Sequence, residues 1–123
     1  MKIREAIAQL QRVKPNQYDD GMLVKWISDL DGMVCDEIFR NHEGTDGVTC
    51  LPYTVENDMD TELLIGDPYS DVYVKYLSAQ VDFHNAEFSR YNNSMMMFTT
   101  AYQNYASWFK REHMPMQKNY VRI

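Results

Sequence analysis

Apolar positions in the first forty residues recur at steps of three and four. Ile3, Ala6, Ile7, Leu10 and Val13 form one stripe, which predicts a short amphipathic helix over about 2–13, stopped by Pro15. Leu23, Trp26, Ile27, Leu30, Val34 and Ile38 form a second stripe behind two candidate N-caps, Asp19 and Asp20, and predict a helix over about 20–41. Asp31-Gly32 falls inside this stripe without shifting its phase, so Gly32 is expected as a helical glycine or a point of close helix contact. From Asn41 the helical period fades. "GVTCLPYTV" and "TELLI" are β-compatible pieces around the acidic "ENDMD", which predicts a long loop over 42–68 or a small hairpin within it.

Asp67-Pro68 reads as a helix start, with Asp capping free amides and Pro pre-set for the first helical position. Beyond it Leu77, Val81, His84, Phe88, Tyr91, Met95, Phe98, Tyr102, Tyr105 and Phe109 alternate steps of four and three, the seam of a helix over about 69–112. Ser94 is a candidate N-cap behind two asparagines and opens the alternative of two antiparallel helices broken at 92–94. The unbroken phase favours the continuous helix. Fold class is therefore mainly α: a single helical domain over 1–123, with two N-terminal helices, a long acidic loop or short β-hairpin, and a long C-terminal helix or helix pair.

Composition narrows the function. With 123 residues and 45% hydrophobic positions the chain can bury one modest core. A net charge of -6 without a basic cluster speaks against a nucleic-acid binder, because Lys and Arg neutralising phosphates supply most of such affinity. The N-terminus "MKIREAIAQL" lacks a signal-peptide core and no apolar run has membrane-spanning length, so a soluble protein that stays where it is made is expected. Cys35 and Cys50 lack CxxC spacing, and in such a chain both are expected as reduced thiols.

Candidate chemistry is sparse. Glu56, Asp58, Asp60 and Glu62 alternate as calcium ligands do, but the glycine that an EF-hand loop requires is missing, so a solvated acidic loop is expected and no metal. His42, His84 and His113 have no second ligand at metal spacing, and His84, on the seam, reads as a core or interface histidine. Asp29, Asp31, Asp36 and Glu37 fall on the polar side of the second helix, as solvated carboxylates do. Neither G-x-S-x-G nor a phosphate-cradling glycine loop occurs, so no enzyme, no catalytic residue and no cofactor is predicted.

What remains in surplus is aromatic surface. Eleven of sixteen rings lie between Tyr69 and Phe109, with three consecutive methionines among them. Tyr, other aromatics and Met enriched in this way mark protein–protein interfaces, although an aromatic core accounts for part of the run. The expected contact surface takes in Tyr53, Met59, Leu63 and Leu64 of the loop and Tyr73, Tyr76, Met96, Met97 and Tyr102 of the last helical region.

Two short amphipathic helices, followed by "DTELLIGDPYSDVYVKYL" leading through Asp-Pro-Tyr into a Tyr-rich helix, resemble small structural proteins of tailed bacteriophages and, more distantly, the head–tail connector (adaptor) family. The resemblance covers most of the chain as a style of sequence, without a signature motif. It implies a helical protomer in a ring of about a dozen copies beneath the portal, built from heterologous contacts on two sides of each copy. It further implies portal, head-completion or tail proteins as partners, DNA only as passing cargo, no membrane, and a place in the virion after assembly in the host cytoplasm. The Tyr- and Met-rich last helix departs from the Ala, Leu and Glu usual in that family, and the basic residues near the C-terminus are confined to Lys110, Arg111, Lys118 and Arg122. The rival expectation is a small helical adaptor or regulatory protein that binds one partner as a monomer or dimer.

Overall fold

A computed structural model of the chain describes residues 1–39, 50 and 52–113. Over these residues it is mainly helical and contains no strand: α1 (Ile3–Val13), α2 (Asp20–Glu37), the single turn α3 (Val55–Asp58), α4 (Val72–His84) and α5 (Phe88–Glu112). The apolar face of α1 buries Ile3, Ala6, Ile7 and Leu10, while Val13 at its end stays exposed. In α2 the Asp19 carboxylate accepts from the Met22 amide at 2.9 Å, capping the helix as its position before the stripe predicts. Leu23, Trp26, Ile27, Leu30, Val34 and Ile38 are all buried. Gly32 is an ordinary helical residue and not a point of close contact, since a Cβ there would meet nothing within 4 Å.

The last helical region is two helices. Its break lies at Asn85–Glu87, neither absent nor at Asn92–Ser94, which sit inside α5. The Glu87 amide donates to Asp82 O at 2.9 Å, the Ala86 amide donates to Phe83 O at 3.0 Å, and Ala86 has φ 59°. This is a Schellman cap with alanine in the left-handed position that glycine normally takes. It turns the chain back so that α5 packs along α4.

Helix α4 also starts later than Asp67-Pro68 predicts. The Tyr69 amide donates to Gly66 O at 2.9 Å and closes a turn over a cis Asp67–Pro68 bond, and Asp67 accepts from the Ser70 hydroxyl instead of capping helical amides. The helix follows at Val72.

One apolar cluster joins α1, α2, α4, α5 and the approach to α4, with Leu10, Leu23, Ile27, Leu30, Ile65, Tyr73 and Leu77 at its centre. Aromatic contacts extend it along α5: Tyr76 against Phe98 at 5.0 Å, Tyr69 against Tyr105 at 5.8 Å and Phe39 stacked on Phe109 at 5.2 Å. In place of a hairpin, the described part of the loop bears an isolated antiparallel bridge between Lys2 and Glu62. Helix α2 ends at Glu37, with Ile38 as its C-cap, short of the predicted end at 41. Residues 47–49 and 51 of "GVTCL" and the tail with Lys118 and Arg122 lie outside the described residues. Cys35 and Cys50 are joined in a disulfide, not reduced as expected, because the returning chain brings their Cα atoms to 6.2 Å.

Candidate functional site

The α4–α5 hairpin leaves two apolar patches uncovered. Each step along a helix turns about 100°, so with Met95 and Phe98 packed on the core, Met96 and Met97 swing outward. They are 69% and 52% exposed. Met97 shares a groove of ≈ 360 Å³ with Val13, Val74 and Ser94, and with Met96, Tyr69 and Ala101 borders a second of ≈ 420 Å³. At the tip of the hairpin, Phe83 and Phe88 are 47% and 57% exposed, their rings 6.2 Å apart, and Tyr91 leans on Phe83 at 5.2 Å. Phe83 lies nine residues from Val74, and Phe88 nine from Met97. That is about two and a half helical turns, which puts the two patches on opposite sides of the hairpin.

Of the nine residues expected at a contact surface, Met96 and Met97 are free to meet a partner. Tyr73 is fully enclosed and Leu63 is buried, because both face the core shared with α2. They present no surface in this fold. Tyr53, Met59, Leu64, Tyr76 and Tyr102 are half-buried and packed against the core, and the Tyr102 hydroxyl also donates to Glu37 at 2.8 Å. The hairpin-tip pair Phe83 and Phe88 escaped the sequence reading, which placed Phe88 on an interior seam.

Three of the four carboxylates that alternate in the acidic loop have partners of their own. Glu62 pairs with the Met1 amino group at 3.0 Å, Asp60 with Arg4 at 3.1 Å, and Asp58 accepts from the Thr54 amide at 2.7 Å. Among the described residues no group of three or more His, Cys, Asp or Glu side chains gathers as a metal site. His84 is exposed, not sunk in a seam, because the chain turns just after it; its ring rests 4.9 Å from Trp26.

Asp31 differs most from its expected setting. Instead of lying on a solvated face it is 3% exposed, accepting from the Tyr53 hydroxyl at 2.6 Å, the Tyr73 hydroxyl at 2.5 Å and the Leu64 amide at 3.3 Å. The Tyr73 oxygen in turn accepts from the Ile65 amide at 2.9 Å. Burial pushes the Asp31 carboxyl above its ordinary range, against the opposing pull of the two hydroxyls and the amide. Burial beside that carboxylate pushes both tyrosines up as well, so they remain hydrogen-bond donors. Both Asp31 oxygens are thus occupied by the chain itself. The cluster ties the 53–65 segment to α2 and offers no free acid or base. A sequence signal existed: Asp31 follows Leu30 and precedes Val34 by three, on the flank of the buried stripe.

A second buried carboxylate, Asp82, receives Lys14 Nζ at 2.6 Å and the Ser94 hydroxyl at 2.6 Å, locking the end of α1 to both arms of the hairpin. Burial acts to raise its pKa, but the Lys14 and Ser94 hydrogen bonds and the Lys14 charge outweigh that and hold it below the ordinary carboxylate range. Among the described residues no helix is long and apolar enough to cross a membrane. The chain matches no protein-family model, no curated protein and no solved structure.

Proposed function

We propose that the chain is a non-enzymatic phage structural protein, a head–tail connector that assembles as a ring below the portal and extends the DNA conduit. The observation that carries this reading is the pair of apolar patches on opposite sides of one helical hairpin, Val13 with Met96 and Met97 on one and Phe83 with Phe88 on the other. Closed rings need two different contact surfaces on each copy, and two such patches supply them. The net charge of -6 suits a conduit through which DNA slides without adhering. Its partners are further copies of itself and the portal, head-completion or tail proteins, in the virion after assembly in the host cytoplasm.

Native mass spectrometry with light scattering, on the chain alone and mixed with a phage portal protein, tests this. A closed ring that Met96→Asp and Phe88→Asp each disrupt, with helical content kept, is the expected result. A monomer or dimer indifferent to portal would overturn it. One observation favours the second reading, a small helical adaptor binding a single partner: Tyr73, Phe98, Tyr105 and Phe109 are spent in the core, so the uncovered apolar surface is small.

A further inference from the structure

Ser28, Asp31 and Cys35 follow one another in α2 at i, i+3 and i+7 and share one face of the helix. Each is fastened to the chain that returns along that face. The Tyr53 amide donates to Ser28 Oγ at 3.1 Å, the Tyr53 hydroxyl donates to Asp31, and Cys35 is bonded to Cys50. These three ties form a seam beside an open groove of ≈ 570 Å³ lined by Ser28, Asp31, Cys35, Cys50 and Tyr53.

Past Tyr53 the chain is held differently. The turn α3 buries no residue and is braced by its own side chains, with Thr54 Oγ1 accepting from the Asn57 amide at 3.3 Å. From Met59 onward the N-terminus takes over. The Arg4 amide donates to Met59 O at 2.9 Å, the Ile3 amide to Thr61 O at 3.2 Å and the Leu63 amide to Met1 O at 2.9 Å, while Leu63 and Ile65 are buried. The described stretch 52–58 is therefore the part of this segment whose hold depends on the seam, together with Tyr53 and Val55 resting on the core. The core side chains of α1, α2, α4 and α5 pack without it.

We infer that Cys35 and Cys50 form a thiol–disulfide latch: oxidised, it holds residues 52–58 against α2, and reduced, it lets that stretch go while the helical body stays folded. Cys50 is the exposed member of the pair and Cys35 the buried one, so a reductant enters from the groove. A dithiol opens the latch when one of its thiolates attacks a sulfur, forming a mixed disulfide that its second thiol resolves. The protein gains two electrons and two protons as two thiols, and the reductant leaves as its own disulfide. The inference rests on the fold and stands apart from the connector reading.

Hydrogen exchange by mass spectrometry on the full chain, oxidised and then reduced with dithiothreitol, tests the latch, with intact mass reporting the thiol state. Amide protection at Tyr53, whose acceptor Ser28 Oγ lies on α2, should fall by roughly a hundredfold on reduction, the order of factor by which a covalent tie across 15 residues favours closure. Peptides covering 61–82 and the helical circular dichroism should not change. Equal exchange over 52–58 in the two states would overturn the latch. So would loss of helical signal on reduction, which would make the bond a staple for the whole fold, or free thiols in protein treated with an oxidant. A Cys35→Ser/Cys50→Ser variant should match the reduced protein without reductant; if it does not fold, the reduced wild-type protein carries the test.

Discussion

Replacing Tyr73 by Phe removes a single oxygen from a fully enclosed site, and the surroundings set what that costs. The Ile65 amide, itself buried, loses its acceptor, at about 1–3 kcal/mol for an unsatisfied buried group. Asp31 keeps two donors of three, and a hydrogen bond to a charged group contributes about 1.5–3 kcal/mol. Water cannot enter to compensate, since neither Tyr73 nor Ile65 has exposed surface. The sum, roughly 2.5–6 kcal/mol, is a large share of a domain's usual stability. Tyr53→Phe is the control. It also removes a donor to Asp31, but at a half-buried position beside an open groove where water replaces it, so about 1 kcal/mol is expected. Urea unfolding followed by circular dichroism measures both, and the Tyr73 variant should lose about 2 M in midpoint at unchanged slope. The pH dependence adds a second check. A carboxyl raised in the folded state gives its full stability below the unfolded value of 3.8 and loses it as pH rises through the folded pKa. Taking away the Tyr73 donor raises Asp31 further, so the penalty should grow as pH rises from the unfolded value of 3.8 through the folded pKa. A Tyr73 variant no less stable than the Tyr53 variant would refute this account of the cluster.

Gly32→Ala should stabilise the protein by about 0.5–1 kcal/mol, because it restores helix propensity in mid-α2 where the new methyl meets nothing; a thermal melt reads it, and a lower Tm would show hidden crowding. Ala86→Gly should be neutral or stabilising by up to about 1 kcal/mol in urea, since glycine relieves the left-handed cost at φ 59°, whereas Ala86→Val should destabilise. Asp82 behaves oppositely to Asp31. Its folded pKa is lowered, so its contribution is complete above the unfolded value of 3.8 and is lost as pH falls through the folded pKa. Asp82→Asn should accordingly cost about 2 kcal/mol at neutral pH and progressively less in acid, as unfolding curves across pH would show.

The helical part of this architecture was legible because burial and periodicity coincide. Every residue of the α2 stripe from Leu23 to Ile38 is buried, and Asp19 caps where a cap was expected. The hairpin was hidden because its turn carries neither glycine nor proline. A Schellman cap built on Ala86 leaves no mark in the sequence, and the three residues Asn85–Glu87 happen to keep the four-three rhythm from Val81 and His84 into Phe88 and Tyr91. Asp31 was misjudged for a related reason. A carboxylate one position off an apolar stripe looks solvated until a distant segment brings two tyrosines onto it, and separations of 22 and 42 residues lie outside any local window. The disulfide depended on the same return of the chain. Of the residues expected at a contact surface, Met96 and Met97 could be foreseen as exposed beside a seam; Tyr73 could not be told from them, since composition does not say which ring turns inward.

The Ala86 turn also bears on the order in which the molecule comes together. Across it α4 and α5 meet through pairs close in sequence, such as Ser94 with Asp82, 12 residues away. The ties that complete the body are long: Lys14 to Asp82 spans 68 residues, and the Met1 amino group to Glu62 spans 61. Closing a long loop costs more chain entropy than closing a short one, and contacts near in sequence form soonest. The hairpin is thus the natural nucleus, made while α1 is still unattached. Because Lys14 bridges to a carboxylate whose other oxygen is already held by Ser94, α1 docks onto a finished surface, and the first residues of the chain are among the last to find their place.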